Sequence, residues 1–256
     1  MRLLRIDQDL ARHSYYAATA PRQEGYAPLH EAVEADVAVV GGGLAGLSAA
    51  LELAERGMDV RLLEAGLVGG GASGRNGGQA IHGLACDNTT IESQLGLADA
   101  RRLWDMSLEA LDLIQQRCQR HGIQAEWQPG FLGLSTKPSK TVELRAWADR
   151  VERDYGYPLT WIPPGQLQDW IASPRFDAGI HDARSGHLHP LKYCLGLARA
   201  ARAAGATLHE HSAVHRMEAQ ADGSQLLCTS SGSVRARQVL LAGNVYLQAL
   251  APGLAP

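Results

Sequence analysis

Only four of the 256 residues are cysteine, and Cys86, Cys118, Cys194 and Cys228 stand apart, with no CxxC and no Cys/His spacing able to build a zinc site. A disulfide framework is excluded, no metal is expected, and the thiols read as small buried hydrophobes. No run of basic residues tracks along the chain, which excludes a nucleic-acid surface. No apolar stretch approaches the length of a membrane helix. Met1 to Leu10 alternates charged and apolar residues where a secreted chain would carry an apolar signal segment. The expected setting is the cytoplasm, away from membranes. Internal repeats and low-complexity tracts are missing too.

The composition is that of a globular chain with a sizeable core: 45% hydrophobic, 20% charged, net charge -3. Residues 1–35 read as an irregular lead-in, with Tyr15, Tyr16 and Tyr26 packing it onto the body. Asp36 to Val40 is a short β-branched run bounded by glycine, the signature of a buried parallel strand. Leu44, Leu47, Leu51 and Ala54 recur at helical spacing up to Gly57, and Val60 to Leu63 is a second strand. Strand, helix and strand within about thirty residues make a βαβ unit. Long helices are expected over 97–120 and 139–155, with a hairpin between them around Pro129-Gly130. A short helix is expected over 166–171 and a further helix from Pro190, with Gly205 after its end. Short strands follow near 206–209, 213–218, 225–229 and 233–237, and a last one runs over 239–242.

Gly41-Gly42-Gly43-Leu44-Ala45-Gly46 satisfies G-x-G-x-x-G between the expected strand and helix. Gly41 permits the turn off the strand, Gly43 lets a pyrophosphate reach the backbone, and Gly46 lets helix and strand pack closely. Phosphates would then sit at a helix N-terminus, where free N–H groups and the helix dipole favour negative charge. Glu64 ends the next strand, at the distance from which an acid reaches the ribose hydroxyls of an adenosine. The bland alternative is a glycine-rich turn in an unrelated α/β protein, with Glu64 a solvated strand end.

A plain NAD domain would continue with alternating strands and helices. Here long helices and a hairpin intervene before the chain returns over 190–244, which suits FAD and an inserted substrate domain. The stretch Gly69 to Gln79 holds six glycines. Such a loop can lie against a flat ring or a phosphate, or it can be a mobile surface loop; the residues alone leave both open.

Gly41 to Ala50, Glu64, Gly71-Ala-Ser-Gly-Arg-Asn-Gly-Gly-Gln79, Gly186-His-Leu-His-Pro190 and Leu241-Ala-Gly-Asn244 together resemble the D-amino-acid-oxidase-like family of FAD-dependent oxidoreductases. Within it the subgroup most resembled is that of gamma-glutamylputrescine oxidoreductases, and Ser14-Tyr-Tyr-Ala17 shares in the likeness. The resemblance implies FAD as cofactor, a small-molecule amine as substrate, hydride transfer to the flavin, and molecular oxygen as acceptor giving hydrogen peroxide. It places Gly41, Gly43, Leu44, Ala45 and Gly46 on the pyrophosphate, and Glu64 with the adjoining Ala65 on the ribose. It places Ser73, Arg75, Asn76, Gly77, Gly78 and Gln79 along the run from pyrophosphate to isoalloxazine, Val214 at the adenine, and Gly243 close to the cofactor. It names no catalytic side chain, because the hard chemistry belongs to the flavin.

His187 and His189 read as shaping the turn into the Pro190 helix rather than as acid–base groups. His209, His211 and His215 alternate without partner carboxylates and read as surface or packing residues. Trp161 and Trp170 are core residues or substrate-domain lining. Family members continue past the point where this chain stops, which raises the expectation of an incomplete substrate sheet completed by another polypeptide or a second copy. The expected fold is α/β: an FAD-binding Rossmann-type parallel sheet of the glutathione-reductase type with an inserted, incomplete α+β substrate domain. The expected divisions are 1–35 lead-in, 36–122 first FAD-binding part, 123–186 insertion, and 187–256 second FAD-binding part. A non-catalytic FAD- or nucleotide-binding fragment is the rival reading, and an NAD(P)-dependent dehydrogenase a third.

Overall fold

The computed structural model describes residues 14–23, 25–247, 250–251 and 253. The Met1–Leu10 alternation and most of the 249–256 tail lie outside them. In chain order the elements are α1 (Tyr15–Thr19), β1 (Ala32–Val40), α2 (Leu44–Glu55), β2 (Val60–Leu63), β3 (Gln79–Ala80), α3 (Asn88–Leu95) and α4 (Leu97–Arg120). There follow β4 (Gln128–Ser135), α5 (Pro138–Tyr155), β5 (Thr160–Ile162), β6 (Ala178–His187), α6 (Pro190–Ala203), β7 (Thr207–His209), β8 (Arg216–Ala219), β9 (Gln225–Cys228) and β10 (Ser233–Leu241). Among the described residues no helix is long and apolar enough to cross a membrane.

Two compact units emerge. The first comprises 1–78, 118–125 and 189–256. Its six-stranded sheet has the order β7-β2-β1-β10-β9-β8, parallel from β7 to β10 and antiparallel through the β10-β9-β8 meander. The two strands expected over 233–237 and 239–242 are one, because β10 runs unbroken alongside β1. Helix α2 buries Leu47, Ala50, Leu51 and Ala54, a stripe at helical spacing, and packs against α6. One cluster of the core joins Ala38, Val40, Leu63, Val234 and Ala236 to Leu29 of the lead-in and Leu227 of the meander.

The second unit comprises 79–117 and 126–188. The stretch 79–117 therefore groups with the insertion and not, as expected, with the first FAD-binding part. Trp104 of α4 is the cause: it packs with Val151 of α5 and with Tyr157, and Leu108 adds to the same cluster. Strand β6 forms the spine of this unit's sheet, with β4 along one edge and β3 and β5 sharing the other, all antiparallel to it. The expected hairpin at Pro129-Gly130 is instead an irregularity inside β4, where the register shifts between Pro129 and Phe131. Gly130 takes φ +100°, so the dipeptide bends one strand rather than joining two. The short helix expected over 166–171 is a 3₁₀ turn at Leu167–Asp169.

Candidate functional site

The glycine turn lies between β1 and α2. Gly41 has φ +115°, and a Cβ there would stand 2.6 Å from the carbonyl oxygen of Ala242. A Cβ on Gly46 would stand 1.9 Å from the carbonyl oxygen of Gly41, so the helix can seat on the turn only if position 46 has no side chain. Gly43 is the N-cap of α2 with an ordinary φ of -86°. What crowds it is Ser73, whose Oγ would lie 2.7 Å from an added Cβ and accepts the Leu44 amide at 2.9 Å. The Leu47 amide closes onto the Gly43 carbonyl. The amides of Ala45 and Gly46 have no protein acceptor among the described residues, which leaves two donors pointing out of the helix start.

The carboxylate of Glu64 straddles the turn. Its Oε2 accepts the Gly42 amide at 2.7 Å and its Oε1 the Gly66 amide at 2.8 Å. Each oxygen keeps a lone pair for a further donor. Ala65 lies in the bend between these contacts. The loop that follows is not a free surface loop. The Gly69 amide donates to the Gly42 carbonyl at 2.8 Å, and Gly69 packs on Leu191 and Cys194 of α6. A 3₁₀ turn at Ala72–Gly74 presents Ser73 to the turn. Asn76 donates to the carbonyls of Ala72 and Ser73 and accepts the Gly78 amide, while the Arg75 Nε donates to Gly71. Gly77 sits within this Asn76-braced turn, and Gln79 opens β3 opposite His187. Gly243 borders Gly41, whose added Cβ would be 3.1 Å from the Gly243 nitrogen. Val214 packs on the sheet core in the segment before β8, because the strand expected over 213–218 begins only at Arg216.

Burial drives the thiol of Cys194 up to about 12, so it serves as packing behind Gly69. His189 caps α6: its Nδ1 accepts the Lys192 amide at 3.2 Å and its Nε2 meets Thr19 Oγ1 at 2.8 Å. The rings of Tyr15 and Tyr16 lie against it, as expected of a packing lead-in, although Tyr15 is largely exposed. Among the described residues no group of histidine, cysteine and carboxylate could hold a metal.

Strand β7 and its extension are tied to the lead-in. His209 Nδ1 donates to the Ala27 carbonyl at 3.1 Å, and the Leu29 amide donates to Ser212 Oγ at 2.9 Å. His209 Nε2 is buried with no protein partner among the described residues. Burial, helped by nearby Arg61, lowers its pKa and keeps the ring neutral. A folded-state value below the unfolded one of about 6.5 means that the stabilisation is present above that pH and lost as pH falls through the folded value. The melting midpoint is therefore expected to fall between pH 7.5 and pH 5. His209→Asn, measured by differential scanning fluorimetry across that range, should shrink the fall; an equal fall in both proteins would refute the assignment.

The second unit holds a buried polar network that the sequence did not announce. Asp182, in β6, receives His82 Nδ1 at 2.7 Å, the Tyr157 hydroxyl at 2.6 Å and the Arg184 amide at 3.0 Å. Ser185 adds both its amide and its hydroxyl. The ring of His82 is boxed by Trp104, Trp147 and Tyr157. Burial acts to raise the Asp182 carboxyl, but the donors from His82, Ser185 and Tyr157 together hold it well below the usual carboxylate range. Burial and the bond to Asp182 push the Tyr157 phenol far up, so it stays a donor. Trp161 stacks under Arg145, and Trp170 lies half-exposed against His181.

Comparison with known proteins bears on this geometry. A family model described as FAD dependent oxidoreductase matches residues 36–256. A gamma-glutamylputrescine oxidoreductase of Escherichia coli is 38% identical over 234 residues, covering 91% of this chain and 54% of the relative. The crystal structure of glycine oxidase from Geobacillus kaustophilus superposes with a TM-score of 0.70 at 25% identity, over 86% of this chain and 58% of that one. An L-amino acid deaminase of Proteus vulgaris shares the fold with a TM-score of 0.76 at 23% identity, over 95% and 62% of the two chains. The chain spans about half the length of the curated relatives it matches. The residues present fit a dinucleotide: a turn too tight for any Cβ, two free helix amides, and an acid with spare lone pairs.

Proposed function

Because the chain belongs to the family of FAD dependent oxidoreductases, we propose that it binds FAD on the 41–46 turn and serves the oxidation of a C–N bond in an amine of the gamma-glutamylputrescine kind. The amine would lose a hydride from the carbon beside nitrogen and become an imine. Water would then split the imine to an aldehyde and ammonia, and dioxygen would take up the two electrons and two protons removed from the amine to give hydrogen peroxide. Bound FAD supplies the two-electron acceptor for this chemistry. The observation that carries the reading is the Gly42 peptide held between Glu64 and Gly69 while the Ala45 and Gly46 amides stay open. The 38% identity to the Escherichia coli relative supports the substrate class.

In this assignment Gly41, Gly43, Leu44, Ala45 and Gly46 face the pyrophosphate, and Glu64 with Ala65 takes the ribose. Ser73 to Gln79 follow the cofactor toward its ring, Val214 meets the adenine, and Gly243 closes the turn. The work of these residues is binding and orientation, and the chain needs no nucleophile of its own. The four cysteines are free thiols, which agrees with the reducing cytoplasm as the setting. A second reading is FAD binding without turnover.

A visible absorption spectrum separates these. The purified chain given FAD should show a bound flavin band, and gamma-glutamylputrescine should bleach it without oxygen. A band that forms but never bleaches favours the second reading, and no band sinks both. Glu64→Ala should weaken FAD binding roughly 10- to 100-fold, the scale of losing a charge-assisted hydrogen bond. Equal affinity in titrations of flavin fluorescence would take Glu64 off the ribose.

A further inference from the structure

Glu210 is a buried carboxylate that the cofactor assignment leaves unused, and it lies one residue beyond β7. Its Oε1 accepts the Val68 amide at 2.7 Å and Arg22 Nη1 at 3.2 Å, and its Oε2 accepts the Tyr26 amide at 3.2 Å. Arg22 also donates through Nη2 to the Val68 carbonyl. The guanidinium and the carboxylate thus grip both polar groups of residue 68, whose side chain is fully buried. The next amide along, that of Gly69, donates to the Gly42 carbonyl, and the Gly42 amide is held by Glu64. Only one peptide separates the ion pair from the phosphate turn. Arg22 comes from the lead-in, ahead of the 36–256 stretch that the family model matches.

We propose that Arg22 and Glu210 are positioning residues for FAD, setting the orientation of the Gly42 peptide through Val68 and Gly69. The inference rests on FAD binding at the 41–46 turn. The fork geometry is what the role requires. A guanidinium can hold a carboxylate and a carbonyl at once in one plane, whereas an ammonium is a point charge. Without Arg22 the Glu210 charge keeps its two amides, but the Val68 carbonyl loses its donor and the loop can pivot. The Gly42 peptide then samples orientations that turn the helix start away from a phosphate.

The test uses the whole chain, stripped of flavin, as wild type, Arg22→Met, Arg22→Lys and Glu210→Gln. FAD affinity is read by flavin fluorescence, ADP affinity by competition, folding by thermal midpoint, and loop order by amide exchange over residues 66–70. Arg22→Met should weaken FAD and ADP alike by about tenfold, the value of one charge-assisted hydrogen bond. It should also speed exchange at Val68 and Gly69, and lysine should restore the affinity only in part. A lowered midpoint with both affinities unchanged would make the pair structural alone and overturn the proposal. If Arg22→Met yields no folded protein, Glu210→Gln carries the same comparison, since it keeps the side-chain volume and one acceptor oxygen. Wild type that binds neither FAD nor ADP overturns the cofactor assignment together with this one, whereas wild type that binds and variants that match it overturn this one alone.

Discussion

Gly46→Ala is expected to cost about 3 kcal/mol or more of folding stability and to abolish FAD binding. A methyl group at 46 would come within 1.9 Å of the Gly41 carbonyl oxygen and 3.2 Å of a Val39 methyl. The first neighbour is backbone and cannot swing aside. Relief requires α2 to lift off the turn, and lifting it removes Leu47 and Leu51, both fully buried, from their places. Urea unfolding followed by circular dichroism, with FAD titration of whatever remains folded, reads both effects. A variant as stable as wild type would mean that helix and turn are not in contact as described.

Asp182→Asn is expected to destabilise the second unit by about 3 kcal/mol, the upper end of what leaving a buried hydrogen-bonding group unsatisfied costs. The amide that replaces one carboxylate oxygen turns a donor toward groups that already donate, His82 Nδ1–H or the Tyr157 hydroxyl. A pH signature follows. The folded-state pKa is held below the unfolded value of about 3.9, so the aspartate's contribution is complete above that pH and lost as pH falls toward the folded value. Wild type should therefore lose stability steeply below about pH 4, and Asp182→Asn should lose less over the same interval. Urea midpoints at pH 7, 5 and 3.5 decide it. Parallel slopes for the two proteins would show that Asp182 is not ionised in the folded state.

How far the residues alone could lead differs from place to place. The 41–46 turn, α2, β2 and Glu64 are legible because glycine spacing, β-branched runs and helical periodicity all point the same way there. Strand β6 is not. Ala-Gly-Ile-His-Asp-Ala-Arg-Ser-Gly-His carries little β-propensity, and its buried positions include Asp182 and Ser185, which pattern-reading assigns to a surface. Its strand character comes from β3, β4 and β5 pairing onto it, a tertiary effect. The Pro129-Gly130 dipeptide carries the same signal for a hairpin and for a bulge, and only the partner strand separates the two. Arg22 and Glu210 gave no local signal, since 188 positions separate them and the lead-in reads as irregular. The capping role of His189 was readable from Pro190 beside it.

The pairing of β1 with β10 sets the timetable on which this chain can fold. Val33 finds its partner in Val234, about two hundred residues later. During synthesis at about 5–20 residues per second, one edge of β1 would wait roughly 10–40 s for that neighbour. Meanwhile Ala35, Ala38 and Val40 would present an apolar, hydrogen-bond-hungry rim to the rest of the cell. Only β2, some twenty residues on, can cover the other edge early. The long-range parallel pairing that places Gly41 beside Ala242 is thus also the step at which a nascent chain is most exposed to wrong partners.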